Sequence, residues 1–224
     1  MGTGTMKKRW LAFAAVACAA MPAAAAPQTL GIGGRIGTLG VGGEAAVEVT
    51  ERIVLRGGFG LSPLEPNATF DDLKVTLSLP NWYNVGVDLY LNGSLRLGGG
   101  VVFKSEDLSL AGDFTSPQDI GGTTFTPEEL GTLTGVIDSS DRAPYVLLGF
   151  GKHTAPGLGL FLDLGVVFLG EPDIILGAEG GSFSDDTDPL RSALDAEAAN
   201  FEAEMGTYLK LWPILSVGLR IGLG

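Results

Sequence analysis

The chain has 224 residues, of which 35 are glycine, and its formal net charge is −12 at pH 7. Such acidity argues against nucleic acid as a partner, because that binding needs Lys and Arg to neutralise phosphates. No charge-free apolar run reaches the roughly 18 residues that predict a membrane-spanning helix, which argues against a helical membrane protein.

Residues 1–25 are predicted to be a signal peptide that is removed from the mature protein. Lys7, Lys8 and Arg9 precede a short apolar stretch, and small residues follow up to an Ala-x-Ala site that places cleavage after Ala25. The mature chain, 26–224, is then a single barrel domain with a formal charge of −15, because the leader carries three cations.

Cys18 carries an alternative interpretation. The string Ala15-Val16-Ala17-Cys18 loosely resembles a lipoprotein cleavage box, in which Cys18 would be acylated. The box lacks its usual leucine and the apolar stretch before it is short, so we favour a small apolar residue within the leader. Cleavage beyond Cys18 leaves a mature chain without cysteine, which suits an oxidising compartment and excludes disulfides, thiol catalysis and cysteine-bound zinc.

Eight segments alternate between apolar and polar residues, the period of two that predicts β-strands. The apolar positions change parity between the first two segments, which predicts a tight hairpin at Thr38-Leu39-Gly40. The fourth is predicted as one long strand, interrupted only at Asn81. The predicted strands are 30–36, 41–49, 53–61, 73–91, 95–104, 143–152, 158–168 and 208–223.

The last predicted strand indicates which face is buried. Its odd positions are almost purely aliphatic, whereas its even positions carry Lys210, Arg220, small residues and aromatics with polar groups. The polar face is rich in glycine and charge, as the lumen of a narrow barrel is, so the apolar face is the outer one. Together with the secretory leader, this pattern predicts an all-β fold: a closed, antiparallel, eight-stranded transmembrane β-barrel in the outer membrane.

The predicted connections alternate in length around the barrel, as they do in outer-membrane barrels. Long connections are expected outside the cell, and short turns, with both chain ends, in the periplasm. A loop is expected around Glu65-Pro66-Asn67, and an acidic loop whose ends extend the flanking strands over 108–141. The short turns are 50–52, 92–93 and 154–157, and the outer connections are 62–70, 108–141 and 171–207, with the 38–40 turn beside them.

One segment of the last long connection is predicted to be an amphipathic helix. Apolar residues recur at helical spacing from 189 to 205, with Asp188 as the cap, Pro189 at the first position and Gly206 as the end. We favour a stripe that packs on other loop residues; the alternative is a lid over the barrel mouth or a partner-binding face. The stripe is Leu190, Leu194, Ala198, Phe201 and Met205, and the other face carries Asp195, Glu197, Glu202 and Glu204.

Several strings in the mature chain resemble small outer-membrane β-barrel proteins of Gram-negative bacteria, with an architecture of the OmpA, OmpX or OmpW kind. The resemblance implies the fold and an outer-membrane location, and it implies little about activity, since such proteins mostly lack an assigned one. The chain ends Leu223-Gly224, where such proteins commonly have an aromatic residue used by the insertion machinery. The strings are Gly37-Thr38-Leu39-Gly40-Val41-Gly42, Leu55-Arg56-Gly57-Gly58, Arg142-Ala143-Pro144-Tyr145-Val146-Leu147-Leu148-Gly149-Phe150-Gly151, Phe161-Leu162-Asp163-Leu164-Gly165 and Trp212-Pro213-Ile214-Leu215-Ser216-Val217-Gly218.

Charged residues of both signs are predicted at lumen positions. An eight-stranded barrel is only wide enough for its interior to be filled by side chains. Opposite charges should therefore pair, because an unpaired buried charge is costly. We favour a lumen that is filled by salt bridges and locks the barrel. The alternative is a narrow polar path through it. The predicted lumen set is Arg35, Glu44, Glu48, Arg56, Lys74, Asp88, Arg96, Lys104, Asp163, Glu171, Lys210 and Arg220.

Few residues suggest catalysis or metal binding. His153 is the single histidine and is expected beside a periplasmic turn, away from the outer loops where a lipid-modifying barrel enzyme needs its base. The string Asp185-Asp186-Thr187-Asp188 lacks the spacing and closing glutamate of an EF-hand loop, so a solvated acidic loop is favoured. Gly31-x-Gly33-Gly34 is no phosphate loop, because no helix follows it. We expect no enzyme activity, cofactor or metal.

Three classes of function are open. The favoured one is a non-enzymatic outer-membrane barrel with a structural or surface-interaction role, whose acidic loops meet divalent cations, lipopolysaccharide or host surfaces. The second is a narrow pore or transporter for small solutes. The third, a soluble periplasmic barrel that binds a small apolar ligand, needs the reverse of the observed parity. Expected partners are outer-membrane lipid, lipopolysaccharide and the barrel-assembly machinery; the protein is expected to be a monomer.

Overall fold

The computed structural model describes residues 29–63, 67–70, 73–183 and 188–223. The predicted signal peptide with Cys18, the Glu65-Pro66 part of the predicted loop, Asp185-Asp186-Thr187 and Gly224 lie outside the described residues. The strands of the described ranges are β1 (Leu30–Gly37), β2 (Gly40–Thr50), β3 (Ile53–Leu61), β4 (Asn67–Phe70), β5 (Leu73–Ser78), β6 (Trp82–Asn92), β7 (Leu95–Lys104), β8 (Leu108–Phe114), β9 (Gln118–Ile120), β10 (Thr123–Phe125), β11 (Gly131–Asp138), β12 (Arg142–Phe150), β13 (Gly157–Phe168), β14 (Asp173–Gly180) and β15 (Leu211–Leu223).

Eight of these strands close into a barrel in the order β1-β15-β13-β12-β7-β6-β3-β2. All neighbours are antiparallel, and the last strand closes the ring by pairing with the first from Leu30↔Leu223 to Gly37↔Ser216. Thr38 and Leu39 form the predicted tight hairpin between β1 and β2, and Gly40 follows at φ +87°. The predicted all-β, eight-stranded closed barrel is confirmed.

Burial alternates along the barrel strands in the inverted sense that the sequence predicts. In β6, for example, Asn84 and Asp88 are buried, whereas Val85 and Val87 are exposed. Large apolar side chains are exposed on every barrel strand, and together they form a continuous outer surface that we call the belt. A soluble sheet protein would bury this surface.

The predicted fourth strand is corrected by the structure, which divides it into β5 and β6. Pro80 lacks the N–H that a central strand position must donate, and so breaks the ladder. Asn81 then fixes the bend, because its Oδ1 accepts from the backbone N–H of Ser62 at 2.9 Å and its own N–H meets Ser105 Oγ at 3.1 Å. Only β6 belongs to the barrel.

A second, five-stranded sheet has the order β14-β11-β8-β5-β4. Its first four strands adjoin the barrel strands β13, β12, β7 and β6 along the chain, in the same lateral order. The sheet therefore continues one half of the barrel wall beyond the rim that carries the long connections. The ends of the predicted 108–141 loop do extend the flanking strands, as β8 and β11, and its middle holds the β9–β10 hairpin and a short helix, α1 (Pro127–Leu130).

The predicted amphipathic helix is confirmed as α2, which spans Leu190–Leu209. The predicted cap is wrong: Pro189 is the N-cap rather than the first helical residue, and the Asp188 carboxylate accepts from Ser192 Oγ instead of a backbone N–H. The helix also continues through Gly206, where the sequence predicts its end, and the backbone N–H of Lys210 donates to Gly206 O at 3.2 Å. A glycine in a helix interior lowers helix stability by only about 1 kcal/mol relative to alanine, so it need not end the helix. The N-terminal half of α2 packs with β9, β10, α1 and β14. The apolar cluster that they form consists of Ile120, Phe125, Leu130, Ala178, Leu190, Ala193 and Leu194. In the described residues, neither helix is long and apolar enough to cross a membrane.

Candidate functional site: the closed barrel interior

Two arginines from neighbouring parts of the barrel wall hold the centre of the interior together. Arg56 reaches three carboxylates: Nη1 lies 2.9 Å from Asp163 Oδ2 and 3.3 Å from Glu44 Oε2, and Nε lies 3.2 Å from Asp88 Oδ2. Arg96 pairs with two of the same groups, at 3.1 Å from Asp88 Oδ2 and in contact with Asp163 Oδ1. These five side chains are sealed from solvent, so the cost of burying each charge is offset by its partners.

Glycine makes room for this network on the barrel wall. A Cβ on Gly149 would lie 2.4 Å from Arg96 Cζ, and a Cβ on Gly86 would lie 2.2 Å from Tyr145 Oη. The high glycine content therefore has a local cause, because the lumen is narrow and large side chains from one strand occupy the space above the backbone of another.

Arg35 differs from the other two buried arginines. Its Nη2 donates to the amide oxygen of Asn84 at 2.8 Å, and within the described ranges it forms no ion pair. The space beside it and Arg56 is a cavity of about 10 Å³, the size of roughly one water molecule.

The end of the barrel that carries the long connections is closed by an apolar layer. Trp82 and Trp212 pack with their ring centroids 5.5 Å apart, and the Trp212 indole N–H donates to Thr38 O at 3.2 Å. Leu39 at the tip of the β1–β2 hairpin is buried in the same layer. The remaining members are Val102, Ala143, Tyr145, Leu147, Val167, Leu169 and Ile214.

The opposite end is closed by the turn 151–156, which folds into the barrel; we call this segment the plug. His153 and Thr154 are only 2% and 1% exposed. His153 contacts Glu44 through Nε2 and Tyr90 Oη through Nδ1 at 3.3 Å, and its backbone N–H meets the same oxygen at 3.0 Å. Thr154 Oγ1 donates to Glu48 Oε2 at 2.7 Å. Polar contacts therefore hold the plug on several sides.

The sequence places His153 at the correct end of the barrel but beside the turn rather than inside the lumen. The sequence signal for the inward position of the plug is glycine on the strands that face it. A Cβ on Gly31 would lie 2.1 Å from His153 O, and one on Gly222 would lie 2.0 Å from Ala155 O. Tyr90, Asn84 and Tyr145 are buried on the inward faces that the alternation of their strands predicts. Their contacts were not predicted, because an uncharged polar residue on an inward face gives no distinctive pattern.

Three predicted lumen residues lie elsewhere. Lys74 is in β5 of the outer sheet, since the predicted strand is broken between Ser78 and Trp82, around Pro80. Glu171 and Lys210 form an exposed pair at the rim, with Nζ 2.8 Å from Oε1, and this contact holds the pKa of Glu171 below its usual value. Nine predicted residues lie in the interior or at its mouths: Arg35, Glu44, Glu48, Arg56, Asp88, Arg96, Lys104, Asp163 and Arg220.

The interior offers little chemistry beyond this packing. His153, Glu44 and Tyr90 place an imidazole, a carboxylate and a phenol in contact, but all three are buried, so a substrate has no access to them. Among the described residues, no group of three or more His, Cys, Asp or Glu side chains is arranged to hold a metal ion.

Comparison with known proteins supports the architecture. No protein-family profile matches the chain, and no curated protein sequence matches it. The crystal structure of Acinetobacter baumannii CarO is 18% identical and superposes with a TM-score of 0.59, covering 85% of this chain and 96% of that one. The A. baumannii CarO2 structure is 17% identical with a TM-score of 0.62, covering 87% and 98%. At these identities the likeness shows a shared fold and nothing more.

Proposed function

We propose that this chain is an integral outer-membrane protein of a Gram-negative bacterium, exported by its signal peptide, whose barrel is a closed anchor. The observation that carries the proposal is the inverted barrel: a belt of exposed apolar side chains on all eight strands around a sealed, charged interior. Lipid is the solvent that favours such a surface, and a closed barrel satisfies every backbone hydrogen bond within it.

The lengths of the connections and the distribution of charge support one orientation of the barrel in the membrane. Both ends of the described chain, Thr29 and Leu223, lie at the end with the short turns, which we assign to the periplasm. The sheet, α1 and α2 then lie outside the cell. Their surface is acidic, with Asp113, Glu128 and Glu179 among its carboxylates, and suits contact with divalent cations that bridge lipopolysaccharide.

The role we propose is structural or surface-interacting and non-enzymatic. In the part of the chain that the structure describes, the apolar layer, the charge network and the plug occupy the lumen in succession, which supports this role over the passage of a solute. Outer-membrane lipid, lipopolysaccharide and the barrel-assembly machinery are the proposed partners, and the protein acts as a monomer. No cofactor is required.

A narrow pore is the second candidate, and one observation favours it. The plug lies between Gly151 and Gly157, both at positive φ (101° and 79°), and polar contacts hold it in place. Glycines at both ends supply the backbone freedom that such a segment needs to leave the lumen.

Two measurements test these proposals, the first on cells that produce the protein and the second on refolded protein. Membrane fractionation with electrophoresis of unheated and boiled samples should show an outer-membrane band whose mobility shifts on boiling, as a stable closed barrel does. A soluble periplasmic band without a shift would refute the membrane role. Planar-bilayer recordings should then show no steady conductance for the closed anchor; regular single-channel openings would favour the pore.

A further inference from the structure

The apolar stripe of α2 lies in two different surroundings. Leu190 and Leu194 are fully buried in a cluster with Ile120 of β9 and Leu130 of α1. Further along the same helix, Phe201, Met205 and Tyr208 are 39%, 38% and 72% exposed. The helix therefore has a covered half and an uncovered half, although its sequence pattern is the same in both.

The predicted stripe of Leu190, Leu194, Ala198, Phe201 and Met205 continues on the same side of the helix at Tyr208. Residues spaced by four and seven, such as Leu190, Leu194 and Phe201, then Met205 and Tyr208, lie on the same side of an α-helix. The β9–β10 hairpin and α1 cover only the half that begins at Leu190. The stripe therefore continues as an apolar surface beyond the part of α2 that the hairpin and α1 cover.

The uncovered half adjoins the belt. The helix ends at Leu209, and the backbone N–H of Leu169 donates to Lys210 O at 2.8 Å, which fixes this end of α2 to the barrel rim. The next residue, Leu211, begins β15 and is exposed in the belt together with Phe168. Tyr208 is only three residues away, and Phe201 lies about 10 Å further along the helix axis at 1.5 Å per residue.

We propose that Phe201, Met205 and Tyr208 contact outer-leaflet lipid, so that the end of α2 extends the membrane contact of the barrel above its rim. Tyrosine beside a cation such as Lys210 is typical of the level where acyl chains meet headgroups. Continuity with the belt favours lipid as the occupant over a second protein. The inference rests on the proposed membrane location.

Site-directed spin labelling tests this contact, since the mature chain lacks cysteine. Met205→Cys and Tyr208→Cys place a label on the stripe, and Ala203→Cys places a matched label on an exposed position about 200° around the helix from Met205. Leu215→Cys is the reference within the belt. Each variant is refolded into liposomes of phosphatidylethanolamine and phosphatidylglycerol, and a mobility shift on boiling verifies its fold.

Collision of each label with oxygen, which partitions into lipid, and with a water-soluble nickel chelate is then measured. We expect the oxygen-to-nickel ratio at positions 205 and 208 to approach that at 215 and to be several times higher than at 203. Ratios at 205 and 208 equal to that at 203, with a lipid-like ratio at 215, overturn the inference and leave the barrel in the membrane. An aqueous ratio at 215 as well refutes the membrane role itself.

Discussion

At the scale of single residues, the interior depends on charges that serve several partners at once. Arg56 contacts Glu44, Asp88 and Asp163, and Arg96 shares the last two. Each carboxylate is therefore held by a cation from another strand, and the ring of strands is cross-linked through its lumen. Two predictions follow from this arrangement and from the glycines that make space for it.

Replacing Arg56 by methionine should lower the free energy of unfolding by about 3–5 kcal/mol, because the buried Glu44, Asp88 and Asp163 lose a shared cation. Urea unfolding in liposomes, followed by the fluorescence of Trp82 and Trp212, measures the change. Arg52→Met at the exposed β2–β3 turn is the control, with an expected change within about 0.5 kcal/mol. Equal unfolding midpoints for the two variants would contradict the prediction.

Gly31→Ala and Gly34→Ala compare an inward and an outward glycine of β1. A Cβ at Gly31 meets the plug backbone at 2.1 Å from His153 O, whereas one at Gly34 has its nearest contact at 3.8 Å. The first substitution should cost about 1–3 kcal/mol of unfolding free energy through overpacking, and the second should have little effect. The same urea titration checks both, and an unperturbed Gly31→Ala would show that the plug does not sit against β1.

At the scale of elements, α2 covers a strand edge as well as a sheet face. Glu202 Oε1 accepts from the backbone N–H of Ile174 in β14 at 2.9 Å, and Glu197 Oε2 accepts from that of Gly121 at 3.2 Å. Both belong to the predicted polar face, and both anchor neighbouring backbone. An edge strand covered in this way is protected from pairing with another chain.

Glu202→Ala should destabilise this junction by about 1 kcal/mol, because the Ile174 N–H loses its acceptor. Amide hydrogen exchange at Ile174 should become roughly fivefold faster, since 1 kcal/mol is about that factor in an equilibrium constant. Glu204→Ala, at an exposed position of the same helix, should leave the exchange rate unchanged. A rate at Ile174 that is the same in both variants would show that Glu202 does not hold the edge.

At the scale of the whole molecule, the lumen is closed at two places in series. The layer around Trp82 and Leu39 seals one end, and the plug seals the other. The charge network of Arg56 and Arg96 fills the lumen between these two closures, so opening either closure, or both, leaves the lumen filled.

The double substitution His153→Gly with Thr154→Gly removes the contacts of the plug, and Leu39→Gly with Trp82→Ala opens the apolar layer. Neither pair alone, nor all four substitutions together, should give steady current in a planar bilayer, because the charge network remains in place. Steady current from the plug variant alone would instead identify the plug as the gate of a pore.

The barrel itself is predictable from the chain because its signals are local. Each signal lies within about a dozen neighbouring residues. These signals are the alternation every two residues, the turn residues at 92–93 and the parity change near Thr38. The charge pairs are not, since Arg56 and Asp163 are 107 residues apart and only the closure of the ring brings them together. The position of Lys74 was mispredicted because its inward direction assumed one continuous strand, which the structure breaks between Ser78 and Trp82.

The sequence by itself determined that this protein is an inverted, all-β barrel with a helix in its last long connection, because side-chain periodicity and strand parity are properties of neighbouring residues. The tertiary structure decided that one half of the wall continues as a separate sheet, that the turn 151–156 folds inward, and which charges meet. These features depend on the space left between distant strands, which a narrow lumen lined with glycine sets only once the ring is closed.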